Sequence, residues 1–230
     1  MRDGRARKAD ANGGGRPPRA ASKASVRARD PGRTRVQILD AATDEFSARG
    51  LGGARVDSIA RAAGVNKRML YHYFGNKEAL FLAVLERAYE KIRGQESALR
   101  LENLPPEEAM RRLVRFTFKY FVENQYFVAL LNSENLHKAR HIRRSGRATA
   151  INSPVIGILD RLLKRGRKAG VFRGGVDPVH LYISIAGVAY FYFSNIHTLS
   201  TIFARDLNAP AALAERERHV TEVIMGYLRP

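Results

Sequence analysis

No cysteine occurs in the 230 residues, so no disulfide can staple the fold and no thiolate can bind a metal or act as a nucleophile. Folding must rest on packing, which fits a reducing cytoplasm, the expected location. No apolar run approaches the length of a membrane span, and the N-terminal stretch lacks the apolar centre of a secretory signal. No segment shows the alternation of a half-buried strand. Serine in a nucleophile elbow, paired carboxylates and a glycine-rich phosphate loop are all missing, so neither an enzyme nor a cofactor is expected. Acidic residues are scarce: 22 Asp and Glu stand against 40 Lys and Arg, a formal charge of +18 and a pI near 10.8. Such a surplus points to a polyanionic partner, since cations that displace counterions from phosphates supply most non-specific nucleic-acid affinity.

What is present divides the chain in three. Residues 1–31 are Arg, Ala, Gly, Ser and Pro with almost nothing to bury, and are expected to be a disordered basic tail. Residues 1–35 hold eleven Lys and Arg against three Asp and Glu. The tail reads either as solvated chain or as an arm that adds phosphate or minor-groove contacts. An organellar targeting helix is disfavoured by Gly13-Gly14-Gly15 and Pro17-Pro18. Residues 32–92 hold a three-helix unit. Ile38, Leu39, Ala42 and Phe46 share one face of a helix from about Thr34 to Arg49, ended by Gly50. Between Arg55 and Phe74, Ile59, Ala60 and Ala63 line one short helix, and Leu70, Tyr73 and Phe74 a second. Gly64-Val65 forms the corner, where positive φ suits glycine. This spacing is that of a helix-turn-helix whose second helix opens on the N-cap Asn66 and presents Lys67 and Arg68 outward. Gly75-Asn76 ends it and caps a long helix from Lys77 to about Leu101.

Residues 93–230 are aromatic-rich. Helices are expected at about Glu107–Asn124, Phe127–Leu136, Pro154–Gly170, Pro178–Ser194 and Ala211–Leu228, so the fold class is all-α. The segment from Pro178 is apolar nearly all round, as a helix buried on both sides would be. Its Ser184, Ala186, Gly187 and Ala189 would admit a second helix closely, and Val220, Val223, Ile224 and Tyr227 offer another apolar stripe.

From Thr34 to about Leu85, the runs ILDAATDEFSARG, VDSIARAAGVNK and LYHYFGNKEAL, in that order and spacing, resemble the DNA-binding domain of the TetR family of transcriptional regulators. One position departs: Arg55 stands where that family usually has a capping Thr or Ser. The resemblance implies a homodimer through the last two long helices, a palindromic DNA operator, and a second domain of 93–230 for dimerisation and inducer binding. Lys67 and Arg68 are best placed for base edges, and Arg55, Asn66, Tyr71, His72, Tyr73 and Lys77 for phosphates. Candidate inducer-pocket walls are Phe116, Tyr120, Phe127, Leu131, Tyr182 and Tyr190, with Asn124, Asn132 and His197 as polar partners. Residues 178–206 look similar to regulators of aromatic or heterocyclic catabolism, so a small aromatic inducer is implied. The function expected is a ligand-released repressor; a nucleoid-type DNA coat and a small all-α enzyme are the rivals.

Two further clusters read as solvated surface. Glu134, His137 and His141 have the spacing of a divalent site, but neighbouring Arg140, Arg143 and Arg144 would repel a cation, and no metal is expected. Arg161, Lys164, Arg165 and Lys168 make a basic helix face.

Overall fold

A computed structural model describes residues 30–230, and the expected tail lies almost wholly outside the described residues. Ten α-helices and two short 3-10 turns follow one another, with no strand among the described residues. The helices are α1 Pro31–Gly53, α2 Val56–Ala62, α3 Lys67–Phe74, α4 Lys77–Ser97, α5 Pro106–Glu123, α6 Gln125–Leu136, α7 Ala148–Lys168, α8 Pro178–Ser194, α9 Ile196–Ile202 and α10 Pro210–Leu228.

The headpiece, α1 to α3, forms for local reasons. Asp30 caps α1 by accepting from the Gly32 amide, and Pro31 occupies the first turn, where no amide is needed, so α1 starts earlier than its apolar face suggests. Gly50, at φ 63°, breaks the helix, and a last turn runs on to Gly53. Ile38, Ala42, Phe46, Ile59 and Leu70 are fully buried together. Removing one side chain the size of Phe46 from water is worth roughly 2–3 kcal/mol. Gly64 takes φ 65°, and the Val65 amide donates back to the Ala60 carbonyl at 3.0 Å, closing the corner between α2 and α3. The Asn66 and Asn76 side chains cap α3 and α4, each accepting from a backbone amide three residues on at 2.8 Å.

The α4 helix passes from the headpiece into the second helical layer. Phe81 meets Phe46 edge-on at 5.1 Å, which fixes the N-terminal end of α4 to α1. In the second layer α5 packs on α7, α8 and α10, around Phe118, Phe121, Tyr192 and Phe193. The α6 helix lies against both α1 and α8, where Ser133 Oγ accepts from the Leu51 amide at 3.2 Å. The α7 helix begins at Ala148, before Pro154, instead of at it. Proline cannot donate to the Ala150 carbonyl, and the Ser153 hydroxyl reaches that oxygen at 3.4 Å, so the helix continues through. The short α9 has no clear apolar period of its own and was not expected from the sequence.

Several surface assignments change. Glu134 and His141 are buried at 5% and 2% exposure, not solvated. Glu134 accepts from His141 Nδ1 at 2.7 Å and from the His141 and Ile142 amides at 2.8 Å, while His141 lies edge-on to Phe81 at 5.3 Å. The carboxylate ties the loop after α6 back onto α6, and the His141 ring packs that loop against α4. Among the described residues no group of His, Cys, Asp and Glu is arranged to hold a metal ion. Arg165 leaves the expected basic face and donates to the Leu101 and Leu104 carbonyls, fastening the link before α5. On α8, Ala189 turns into its own core at 1% exposure. The outward ridge is Val179, Ile183, Gly187 and Phe191, spaced four apart. On α10, Val220 and Ile224 face inward, and only Val223 and Tyr227 of the expected stripe remain exposed. No single helix among the described residues is long and apolar enough to cross a membrane.

Candidate nucleic-acid interface and effector cavity

The side-chain cap that Thr or Ser would give α2 is absent at Arg55, and the backbone of that residue is held from another helix. The Arg55 side chain makes no cap bond to α2, but its backbone amide donates to Glu45 Oε1 of α1 at 2.9 Å. The entry of the helix-turn-helix is thereby held, and the Arg55 side chain is left at the exposed surface. On α3, Leu70 and Phe74 are buried, Tyr73 is half-buried, and Lys67, Arg68, Tyr71 and His72 are exposed on the opposite side. Asn66, which caps this helix, is exposed as well. Lys67 Nζ rests on the Asp57 carboxylate of α2 at 3.1 Å, and that hydrogen bond and charge raise its pKa, keeping the ammonium protonated. Lys77, half-buried, donates to the Gly52 carbonyl at 3.4 Å across the α1 turn. The structure therefore brings Asn66, Lys67, Arg68, Tyr71 and His72 to one end and face of α3, with Arg55 and Lys77 at its flanks. Arg35 and Arg61, exposed cations on α1 and α2, were not singled out by sequence reasoning; Arg35 lies over the Phe74 ring at 5.1 Å.

A cavity of about 290 Å³ opens between α4, α5, α6 and α8. Phe127, Leu131, Tyr182 and Tyr190, four of the residues singled out as candidate walls, line it. Phe116 and Tyr120 line a separate groove between α4 and α5 instead. Asn124 is occupied: its Oδ1 accepts from Lys91 Nζ at 2.9 Å and its Nδ2 donates to the Tyr120 carbonyl at 2.9 Å. Asn132 accepts from the Tyr190 hydroxyl, and His197 is exposed on α9, outside the cavity. The cavity also takes in Tyr89, Ile92 and Glu96 of α4, Thr117 and Phe121 of α5, and Asn135 of α6.

Behind one wall lies a buried ion pair. Arg93 and Glu96 are 6% and 3% exposed, and their contact is 2.6 Å. Burial pushes the Glu96 carboxyl up to about 7 despite the favourable charge of Arg93. Burial likewise pushes the Tyr89 phenol up to about 12 and raises that of Tyr182, so both stay protonated donors at neutral pH.

With this geometry established, the known proteins are informative. A family model described as "Bacterial regulatory proteins, tetR family" matches residues 38–84, and one described as "Tetracyclin repressor-like, C-terminal domain" matches residues 106–224. The HTH-type transcriptional repressor NicS of Pseudomonas putida is 40% identical over 207 residues, covering 90% of this chain and 98% of that protein. The chain belongs to the TetR family. It is a DNA-binding, ligand-responsive transcriptional regulator. The regulator is also 27% identical over 195 residues to the HTH-type transcriptional regulator RutR of Escherichia coli, covering 84% of this chain and 89% of that one. Its fold matches the crystal structure of the transcriptional regulator SCO4942 from Streptomyces coelicolor, with TM-score 0.65, 25% identity, and coverage of 86% and 99%.

In this TetR regulator the polar cavity residues of α4 escaped sequence reasoning because Arg93 and Glu96, three apart and of opposite charge, look like a solvated helix pair. A signal was present. Leu85, Tyr89, Ile92 and Glu96 continue the buried stripe of α4 at steps of four and three, which places Glu96 on the inward side.

Proposed function

We propose that this regulator is a homodimeric repressor whose two α3 helices enter successive major grooves of a palindromic operator and are released when a small aromatic or heterocyclic inducer fills the α4/α5/α6/α8 cavity. The observation that carries this reading is the double role of α4. Its first turns abut α3 and the headpiece core through Phe81, and its later turns supply Tyr89, Ile92 and Glu96 to the cavity. A ligand that repositions α4 therefore repositions the recognition helix. The ligand acts only through its preference for one arrangement, since equal affinity for both would shift nothing.

In this reading residues 32–92 form the DNA-binding domain and 93–230 the inducer-binding and dimerisation domain, with the protein in the cytoplasm and no enzymatic activity. Lys67 and Arg68 read bases, and Arg55, Asn66, Tyr71, His72, Tyr73 and Lys77 hold backbone phosphates and register. Phe127, Leu131, Tyr182 and Tyr190 contact the inducer; Phe116, Tyr120 and Asn124 act behind them. The dimer forms across the outward α8 ridge and the exposed Val223 and Tyr227 of α10, an apolar face with no cover in the single chain. The relative named a repressor supports repression as the mode.

Genomic footprinting followed by operator titration, with and without a panel of small aromatic compounds, tests the whole. The expected result is a two-fold symmetric footprint, affinity at least about a thousandfold above random DNA, and release by one member of the panel. Equal affinity for random sequence would instead make the protein a charge-driven DNA coat.

A further inference from the structure

The loop that leaves α6 carries cations in excess. Lys138, Arg140, Arg143, Arg144 and Arg147 are all exposed, and no Asp or Glu occurs between residues 135 and 159. The loop is nonetheless held in one place. Glu134 accepts from the His141 and Ile142 amides at 2.8 Å, the buried His141 ring meets Phe81 edge-on at 5.3 Å, and Lys138 and Ala139 turn the chain at φ 55° and 58°. Two contacts set the loop beside the DNA-binding face. Ser133, just before it, accepts from the amide of Leu51 in the last turn of α1, four residues before Arg55. Arg140 and Arg144 lie 3.8 and 3.3 Å from the carboxylate of Glu78, which follows Lys77 in the first turn of α4. The two guanidiniums share that one carboxylate and all three side chains are exposed, so these pairs add little to stability and exchange readily for a phosphate. Among the described residues no carboxylate pairs with Lys138 or Arg143, and Arg143 donates to the Lys138 carbonyl at 2.9 Å. Four cations thus stand against the single carboxylate of Glu78, a surplus of three. Arg147, by contrast, is taken up by Glu86 and Glu90 on later turns of α4.

We propose that the loop from Lys138 to Arg144 is a second DNA-backbone contact, supplied from outside the headpiece: Arg140 and Arg144 take phosphates next to those held by Arg55 and Lys77, and Lys138 and Arg143 add unpaired charge beside them. The proposal rests on the reading of Arg55 and Lys77 as phosphate residues. Each strand of a duplex presents one negative charge for about every 3.4 Å of axis, so cations flanking a bound phosphate meet further ones whatever the sequence. The contact therefore adds affinity and register and reads no base. The other basic face, Arg161, Lys164 and Lys168 on α7, is placed differently. Its neighbour Arg165 is fastened to the Leu101 and Leu104 carbonyls, beyond the far end of α4, a helix about 30 Å long.

Fluorescence titration of the full chain over a series of KCl concentrations tests the contact, against the duplex recovered by genomic footprinting and a random-sequence duplex of equal length. The variants are Arg140→Gln/Arg144→Gln, its charge-keeping form Arg140→Lys/Arg144→Lys, Lys77→Ala, and Arg161→Gln/Lys168→Gln as a remote control. The loop Gln pair should reduce the steepness of log affinity against log salt by about 0.9 per phosphate lost, or about 3.6 for two contacts in each of two subunits. It should weaken both duplexes by a similar factor, roughly tenfold or more, while the Lys pair and the remote control keep the parent slope. If circular dichroism shows the Gln pair unfolded, Arg144→Gln carries the test at about half the change in slope. A slope unchanged by the loop variants, or reduced equally by the remote control, would overturn the contact and leave the loop as solvated surface. A slope reduced by the loop variants but not by Lys77→Ala would uphold the loop contact and remove Lys77 from the phosphate set.

Discussion

Replacing Glu96 by glutamine should stabilise the protein above neutral pH and do little in acid. The carboxyl is buried beside Arg93, and its pKa rises from 4.5 to about 7 because burial penalises the charge more than the guanidinium rewards it. Below pH 4.5 the group is protonated both folded and unfolded, and its titration costs the fold nothing. Between 4.5 and 7 the unfolded chain ionises first, so stability falls as pH rises. Above 7 both states are charged, and the full gap between the two pKa values is felt. At about 1.36 kcal/mol per pKa unit, that gap is worth about 3 kcal/mol. Glutamine keeps the shape and an oxygen for Arg93 NH1 but does not titrate. The variant-minus-parent difference in unfolding free energy should therefore grow by up to about 3 kcal/mol between pH 4.5 and pH 8. Urea melts of both proteins at the two pH values measure it through the midpoints. A difference that is flat with pH, or a variant that loses stability relative to the parent on going from pH 4.5 to pH 8, would refute the account of Glu96 as a carboxylate charged against its surroundings.

Other expectations concern the DNA face, the dimer and the junction. Lys67→Ala should relax preference at one position per half-site by roughly 1–3 kcal/mol, whereas Lys77→Ala should weaken all sequences alike; operator titration over a set of single-base variants separates them. Gly187→Arg and Val223→Arg should each place a charge in the dimer seam and give folded monomers in sedimentation, because both positions are exposed and a Cβ at Gly187 meets nothing within 4 Å. By contrast Ala189→Arg, at a core position with 1% exposure, should abolish folding, and a folded monomer from it would reverse the assignment of the two faces. Ser133→Ala should orphan the buried Leu51 amide and cost about 1–3 kcal/mol, read as faster hydrogen exchange at the α1–α6 junction; unchanged exchange there would remove this bond from the link between headpiece and cavity.

The local rules of helix formation were legible in the chain itself. Gly64, Gly75, Asn66 and Asn76 act within a few residues of themselves, so their sequence positions suffice to place the turn and the two caps that aim α3. The four-residue spacing of Ile38, Ala42 and Phe46 likewise determined which face of α1 is buried. What only the tertiary structure decided involves partners far apart in the chain. Glu45, ten residues away, accepts from the Arg55 backbone amide and holds the entry to α2. Glu134 and His141 looked like solvated charge and became a buried tie, because the loop folds back under Phe81. Arg165 left its helix face for two carbonyls more than sixty residues earlier. On α8, which is apolar nearly all round, periodicity cannot say which side faces the core, and packing turned Ala189 inward and Gly187 outward. Glu96 and Tyr182 are 86 residues apart in number and meet on Arg93. Chain spacing encodes the stripe that each helix buries, but which stripes face one another, and so which polar groups share a cavity, depends on how the helices pack.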